Sequence, residues 1–346
     1  MEDRTGYKDL LELLAAAVAP SEEESLQRFN TWLEKGNFDL HFSASEFRFL
    51  PFLWQRHKKN LPQNDIFHKV QGLFKRTHFH NTQQLITAVA LTKELDQAKI
   101  KHAYCKGLVF LLQYYDNLGS RPMADIDLLV AEKDLDRTAQ VLQKLGFKPS
   151  RPLWESRLVK KHSLGFTNAK NLSIDLHTRP CPSPLIAFDA DYFLTDASRF
   201  ESKFGPIPLL QTQKALQFSY LNNLYSRENH WLLDMHLADP HQKSLDSFLK
   251  SLENAPILKN ILLFRLQNMP GFSNLPALHS ELLPQQYQTF MANQFQDKPT
   301  RTYANHLFWY YGFNGEAVQK PQLCLAYWLR MGIYSLSWGL RRLNPI

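Results

Sequence analysis

Apolar residues recur every three or four positions up to about residue 98, alternate or run in short blocks from 99 to 180, and return to the helical rhythm from Thr212. A helix repeats its face every 3.6 residues and a strand every two, so the change marks a change of secondary structure. The organisation is helical, then α/β, then helical. Residues 7–18 read as one helix. Ser21 followed by Glu24 forms a capping box for a second, running through Leu33. Ser43 or Ser45 opens a third around Pro51, and residues 64–95 form a long fourth. The middle segment reads as a strand at 102–105, a helix at 108–116, a strand at 125–130, and a helix at 133–145 ended by Gly146. Strands at 162–167 and 172–178 follow, joined by the turn Asn168-Ala-Lys-Asn171. Helices are expected again at 212–224, 229–238 and 245–252. The chain therefore divides into a helical region (1–98), an α/β core (99–210) and a second helical region (211–346).

The 346 residues, 44% apolar and 21% charged, are those of a globular protein able to build a core without metal or disulfide staples. Disordered, collagen-like and rod-like chains are excluded. Cys105, Cys181 and Cys324 are widely spaced and lack zinc-ligand spacing, which reads as reduced thiols. The N-terminus lacks a signal-peptide pattern. The apolar run at 10–20 is broken by Glu12 and is shorter than the about 20 residues a membrane span needs. No transmembrane segment and a cytoplasmic location are expected. The net charge of +7 suits an anionic partner such as a nucleotide or RNA.

The segment richest in chemistry is Arg121-Pro-Met-Ala-Asp125-Ile-Asp127-Leu-Leu-Val130. On a strand, Asp125 and Asp127 share one face, roughly 7 Å apart along the chain. Bare carboxylates so close repel, and a hard divalent cation compensates them. Asp175 has the same phase in a later strand. If the two strands are neighbours, three carboxylates converge, as a two-metal phosphoryl-transfer site requires. Lys106 and Gly107 stand where a strand turns into a helix. The glycine admits a phosphate to the backbone, and the lysine and helix N-terminus supply positive charge. Arg121 is close enough in sequence to reach the same phosphates.

These residues resemble the polymerase-β-type nucleotidyltransferases, most closely the branch of uncharacterised nucleotidyltransferases. That branch carries a Lys-Gly element, an Arg-x-x-x-Asp-x-Asp strand and an Asp-x-His strand. Here they would be Lys106-Gly107, Arg121 to Asp127, and Asp175 to His177. Phe49-Leu-Pro-Phe-Leu and Trp231-Leu-Leu-Asp234 resemble its helical flanks. The likeness spans roughly residues 40–240. It implies an α+β fold with a small mixed β-sheet flanked by N- and C-terminal helices. It implies Mg2+ or Mn2+ held by Asp125, Asp127 and Asp175, with Lys106, Gly107 and Arg121 on the nucleoside triphosphate. It implies transfer of a nucleoside monophosphate to an acceptor (an RNA end, a protein side chain or a small molecule), releasing pyrophosphate. Two departures concern nucleotide orientation. Leu108 stands where the wider superfamily has Ser, and Ser219 and Tyr220 stand where a His is expected.

Plainer readings accompany these. An Asp-x-Asp also serves metal-dependent glycosyltransferases, and the α/β unit could be a degenerate transferase kept as a binding module. Asp189-Ala-Asp191 reads as a solvated loop. His177 reads as a packing or supporting residue, and Asp234 as bonded within the helical tail. His68, His78 and His80 read as structural or exposed. Basic residues at 56–76 and 148–161 form solvated faces unless they flank one cleft, where they would bind RNA. The apolar segment 323–343 reads as a buried helix, or as one lying on a membrane surface.

Overall fold

In a computed structural model the described residues are 7–34, 46–153, 162–181, 188–223, 231–253 and 256–267, with scattered positions up to 276. The expectations for Cys324, for Arg157, Lys160 and Lys161, and for 323–343 lie outside them. Four helices open the chain: α1 (Tyr7–Ala17), α2 (Glu22–Glu34), α3 (Glu46–His57) and α4 (Asp65–Gln97). Ser21 caps α2 by accepting from the Glu24 N–H at 3.1 Å. Asn64 caps α4 by accepting from the Phe67 N–H at 3.0 Å. Each satisfies a backbone donor that the helix leaves without a partner. On α4 the buried positions Phe67, Val70, Phe74, Leu85, Ala88, Leu91 and Leu95 keep the helical period and face the core.

The middle of the chain contributes β1 (His102–Tyr104), α5 (Gly107–Tyr114), β2 (Ile126–Val130), α6 (Leu135–Lys144), β3 (Lys148–Pro149), β4 (Ser163–Thr167) and β5 (Ser173–His177). Then follow α7 (Ala190–Leu194), β6 (Ser198–Ser202) and β7 (Gly205–Leu209). The chain returns to helix with α8 (Thr212–Asn223), α9 (Trp231–Ala238), α10 (Lys243–Ser251) and α11 (Pro256–Leu266). The strands form one mixed sheet in the order β3-β4-β5-β2-β1-β7-β6. β2 runs parallel to β5 and antiparallel to β1. The fold is α+β, as expected.

Every residue of β2 is buried, because it is the middle strand and is covered on both faces. α5 packs on β2 and also on α9, and α4 packs on β7 and α6. One apolar core runs from Leu13 in α1 to Met269 just past α11. Gly146 adopts φ +83° after α6, the left-handed cap its position predicts. No helix among the described residues is long and apolar enough to cross a membrane.

One feature goes beyond the sequence reading and one differs from it. The β6–β7 hairpin lies in a stretch where the sequence reading named no element, and Pro206 and Pro208 give no strand signal there. β7 meets β1 at its last residue, Leu209, opposite Tyr104, so its two prolines lie outside that pairing. Asp189-Ala-Asp191 is not a loop. Asp189 caps α7, its carboxylate accepting from the Tyr192 N–H at 2.9 Å.

Candidate active site

The parallel pairing of β2 and β5 sets Asp127 opposite Asp175 in register. Apolar residues at alternate positions force this phase: Ile126, Leu128, Ile174 and Leu176 are at most 1% exposed, so the aspartates occupy the other face. His177, two residues along β5, stands on the same face as Asp175. Its Nε2 lies 3.1 Å from Asp127 Oδ1 and 3.2 Å from Asp175 Oδ2. Ionised carboxylates only accept, so Nε2 carries the proton and braces both acids. One atom from each of Asp127, Asp175 and His177 falls within 4.8 Å of the other two. Asp125, half-buried, precedes β2 and lines the cavity that Asp127 also reaches. It is outside that mutually close trio.

Lys106 approaches from the end of β1. Its Nζ lies 2.5 Å from Asp127 Oδ1 and donates to Asn222 Oδ1, on α8, at 3.2 Å. Its backbone sits at φ 50°, ψ −116°, a region few side-chain-bearing residues adopt, immediately before α5. A side chain at Gly107 would have to displace the Met123 thioether. A Cβ would come within 2.9 Å of Met123 Sδ and 3.2 Å of Arg121 Nη1. The cavity, about 230 Å³, is walled by Lys106, Gly107, Asp125, Asp127, Asn222 and the Arg121–Asp234 pair, among others. Carboxylates, a lysine and a helix N-terminus thus share one cavity.

The electrostatics follow from burial and crowding. Burial, then the Asp127 charge, pushes the Asp125 carboxyl up to about 7. Burial raises Asp127 too, but Lys106 and the His177 hydrogen bond outweigh it and hold Asp127 below the usual range. Burial likewise opposes ionisation of Asp175, and the neighbouring His177 more than reverses it. Burial and Lys106 pull His177 down, while Asp175 and the hydrogen bonds to both acids leave it raised. His162, in ring contact with His177, is driven down to about 3 by burial and then by His177.

Arg121 is brought to the cavity wall but is committed elsewhere. Its Nε and Nη2 donate to the two carboxylate oxygens of Asp234, on α9, at 2.7 and 2.6 Å. Tyr115 donates to the same Asp234 at 2.8 Å. Asp234 is therefore bonded across to the core rather than within its helix. Asn81, on α4, donates to the carbonyls of Leu118 and Arg121 at 2.6 and 2.7 Å and fixes the loop leading to Asp125. Asn81, Asn222 and the role of Asp234 escape a sequence reading. Only Asp234 leaves a trace, as the one acid in the apolar helix Trp-Leu-Leu-Asp-Met-His-Leu-Ala. Leu108 is 1% exposed, so no side-chain hydroxyl starts α5, only backbone amides. His78 bonds to Asn117 at 2.9 Å.

A mixed sheet thus brings carboxylates, a lysine and the N-terminus of α5 to one cavity, chemistry suited to a cation and an anion together. The chain belongs to the uncharacterised nucleotidyltransferase family, whose profile matches residues 44–247, more than half of its length. Among solved structures it is similar to the crystal structure of an antigenic nucleotidyltransferase-like protein from Paracoccidioides brasiliensis. The identity is 16%, over 52% of this chain and 92% of that one, with a TM-score of 0.31. No curated protein matches.

The donor set fits a hard divalent cation: carboxylate oxygens, crowded enough that Asp125 holds its proton near neutral pH. Two outcomes are expected. Because Asp125 must shed that proton to act as a ligand, Mn2+ affinity falls as pH drops from 8 to 6, and Asp125→Asn flattens the profile. Isothermal titration at the two pH values checks this, and a wild-type affinity independent of pH contradicts it. Asp234→Ala strands the buried Arg121 charge and lowers stability by about 3–5 kcal/mol in chemical denaturation. A loss below about 1 kcal/mol contradicts the pairing seen here.

Proposed function

We propose that the protein is a divalent-cation-dependent nucleotidyltransferase. It would move a nucleoside monophosphate from a nucleoside triphosphate to an acceptor nucleophile and release pyrophosphate. The reading rests on one observation above all: Asp127 and Asp175 face each other across β2 and β5, beside a helix that begins at Lys106-Gly107. Asp127 and Asp175, with Asp125, would hold Mg2+ or Mn2+. When bound, the cation supplies charge neutralisation at phosphate oxygens and lowers the pKa of a coordinated hydroxyl.

The protein's own groups divide the remaining work. The backbone amides at the start of α5 and the Lys106 ammonium offer positive charge to the phosphates. Gly107 keeps that helix end open to them. Asp175 stays ionised throughout the neutral range, which suits a cation ligand better than a proton acceptor. His177 sets the orientation of two acids. Arg121, bound to Asp234, anchors the cavity wall rather than gripping the triphosphate. Most of the rate enhancement would come from positioning and fixed charge, since the transferred phosphoryl group carries its charge on oxygen.

The acceptor we propose is a hydroxyl or similar nucleophile on RNA, a protein or a small molecule. We further propose that residues 99–210 act as the catalytic unit, with the helices on either side walling the acceptor. Two buried free thiols, Cys105 and Cys181, support a reducing, cytoplasmic setting.

Incubation with each α-labelled nucleoside triphosphate, Mg2+ or Mn2+, and a fractionated cell extract tests the proposal. Label should pass to one fraction with the wild-type protein and stay at background with Asp127→Asn. No transfer from any nucleotide, or equal transfer by the variant, would overturn it.

A further inference from the structure

We propose that Lys106 is a tethered counter-ion that couples cation binding to nucleotide binding. Its ammonium holds Asp127 while no divalent cation is bound, and it passes to a phosphate when cation and nucleotide bind together. The inference rests on the nucleotidyl-transfer reading above.

Three observations carry it. The first is occupancy. Asp127 Oδ1 already receives Lys106 at 2.5 Å and His177 at 3.1 Å. A carboxylate oxygen offers about two lone-pair directions, so a cation approaching this oxygen meets a filled position. The second is freedom to leave. His177 is fully buried, whereas the Lys106 side chain is 20% exposed on a flexible four-carbon stem. Besides Asp127 its Nζ has the neutral Asn222 amide oxygen at 3.2 Å. The third is location. Lys106 immediately precedes α5, whose N-terminal amides favour an anion. An ammonium displaced from Asp127 therefore swings about a backbone already placed where phosphates are attracted. Arg121 is less free to move, since Asp234 holds its Nε and Nη2.

The energetic consequence is a coupling. A divalent cation alone must push a like charge off Asp127 toward solvent, with no new anion gained, and it binds weakly. With a triphosphate present, the displaced ammonium gains a new anion. Cation and nucleotide then strengthen each other by the same factor, as linkage requires. An ordinary phosphate-binding lysine, idle until nucleotide arrives, would leave the affinity for the cation alone unchanged.

Mn2+ binding to the full chain, followed by the electron paramagnetic resonance of free Mn2+, separates these behaviours. Wild type, Lys106→Met and Asp127→Asn are titrated without nucleotide and with each of the four α,β-methylene nucleoside triphosphates. Without nucleotide, Lys106→Met should bind Mn2+ about tenfold more tightly than wild type. An analogue should tighten Mn2+ binding about tenfold or more in wild type and much less in the variant. Equal or weaker binding by Lys106→Met in the absence of nucleotide overturns the coupling and leaves the transferase reading standing. Mn2+ binding that survives Asp127→Asn unchanged, or none in any protein, overturns both. Thermal melts establish that each variant is folded. Should Lys106→Met fail to fold, wild type alone decides, because Mn2+ affinity that no analogue strengthens overturns the coupling.

Discussion

Asp127 is 5% exposed in the middle strand of a seven-stranded sheet, directly opposite a second aspartate. A buried charge without a partner is among the costliest features a fold can carry. Much of the surrounding structure supplies its compensation. His177 bridges it to Asp175, Lys106 reaches it from the end of β1, and Asp125 responds by holding its proton into the neutral range. Lys106 and His177 hold Asp127 and Asp175 ionised, and only Asp125 gives up its charge. Acids with pKa values pushed apart around one cavity mark a candidate functional site.

The same site depends on helices far away in the chain. Arg121 and Asp234 are 113 residues apart in sequence, yet they meet in a two-bond pair that ties the β2 approach loop to α9. Asn81 holds that loop from the other side through two backbone carbonyls. Asn222 on α8 receives Lys106 and donates to the Pro180 carbonyl after β5 at 2.7 Å. The helical regions are therefore part of the cavity wall, and the single core that joins them to the sheet keeps that wall in register.

The α+β class was legible because period-2 and period-3.6 patterns separate cleanly in this chain. The aspartate face was legible for the same reason, since Ile126, Leu128, Ile174 and Leu176 leave Asp127 and Asp175 only one side to occupy. The β6–β7 hairpin was not, because Pro206 and Pro208 argue locally against a strand that tertiary pairing nevertheless accepts. Nor could sequence decide where Arg121 points. An arginine before an acidic strand fits a phosphate or a carboxylate equally well, and only the return of α9 brings Asp234 within reach. Asn81 left no signal, since one amide inside a long amphipathic helix reads as a tolerated polar residue.

The central claim is that the β2–β5 carboxylates exist to hold a cation against a triphosphate. A crystal structure with Mn2+ and an α,β-methylene nucleoside triphosphate, phased on the anomalous signal of manganese, tests it most directly. The account predicts manganese bonded to Asp127 and Asp175, with the phosphates against the start of α5. Manganese placed elsewhere, or phosphates bound away from Lys106 and Gly107, would contradict it.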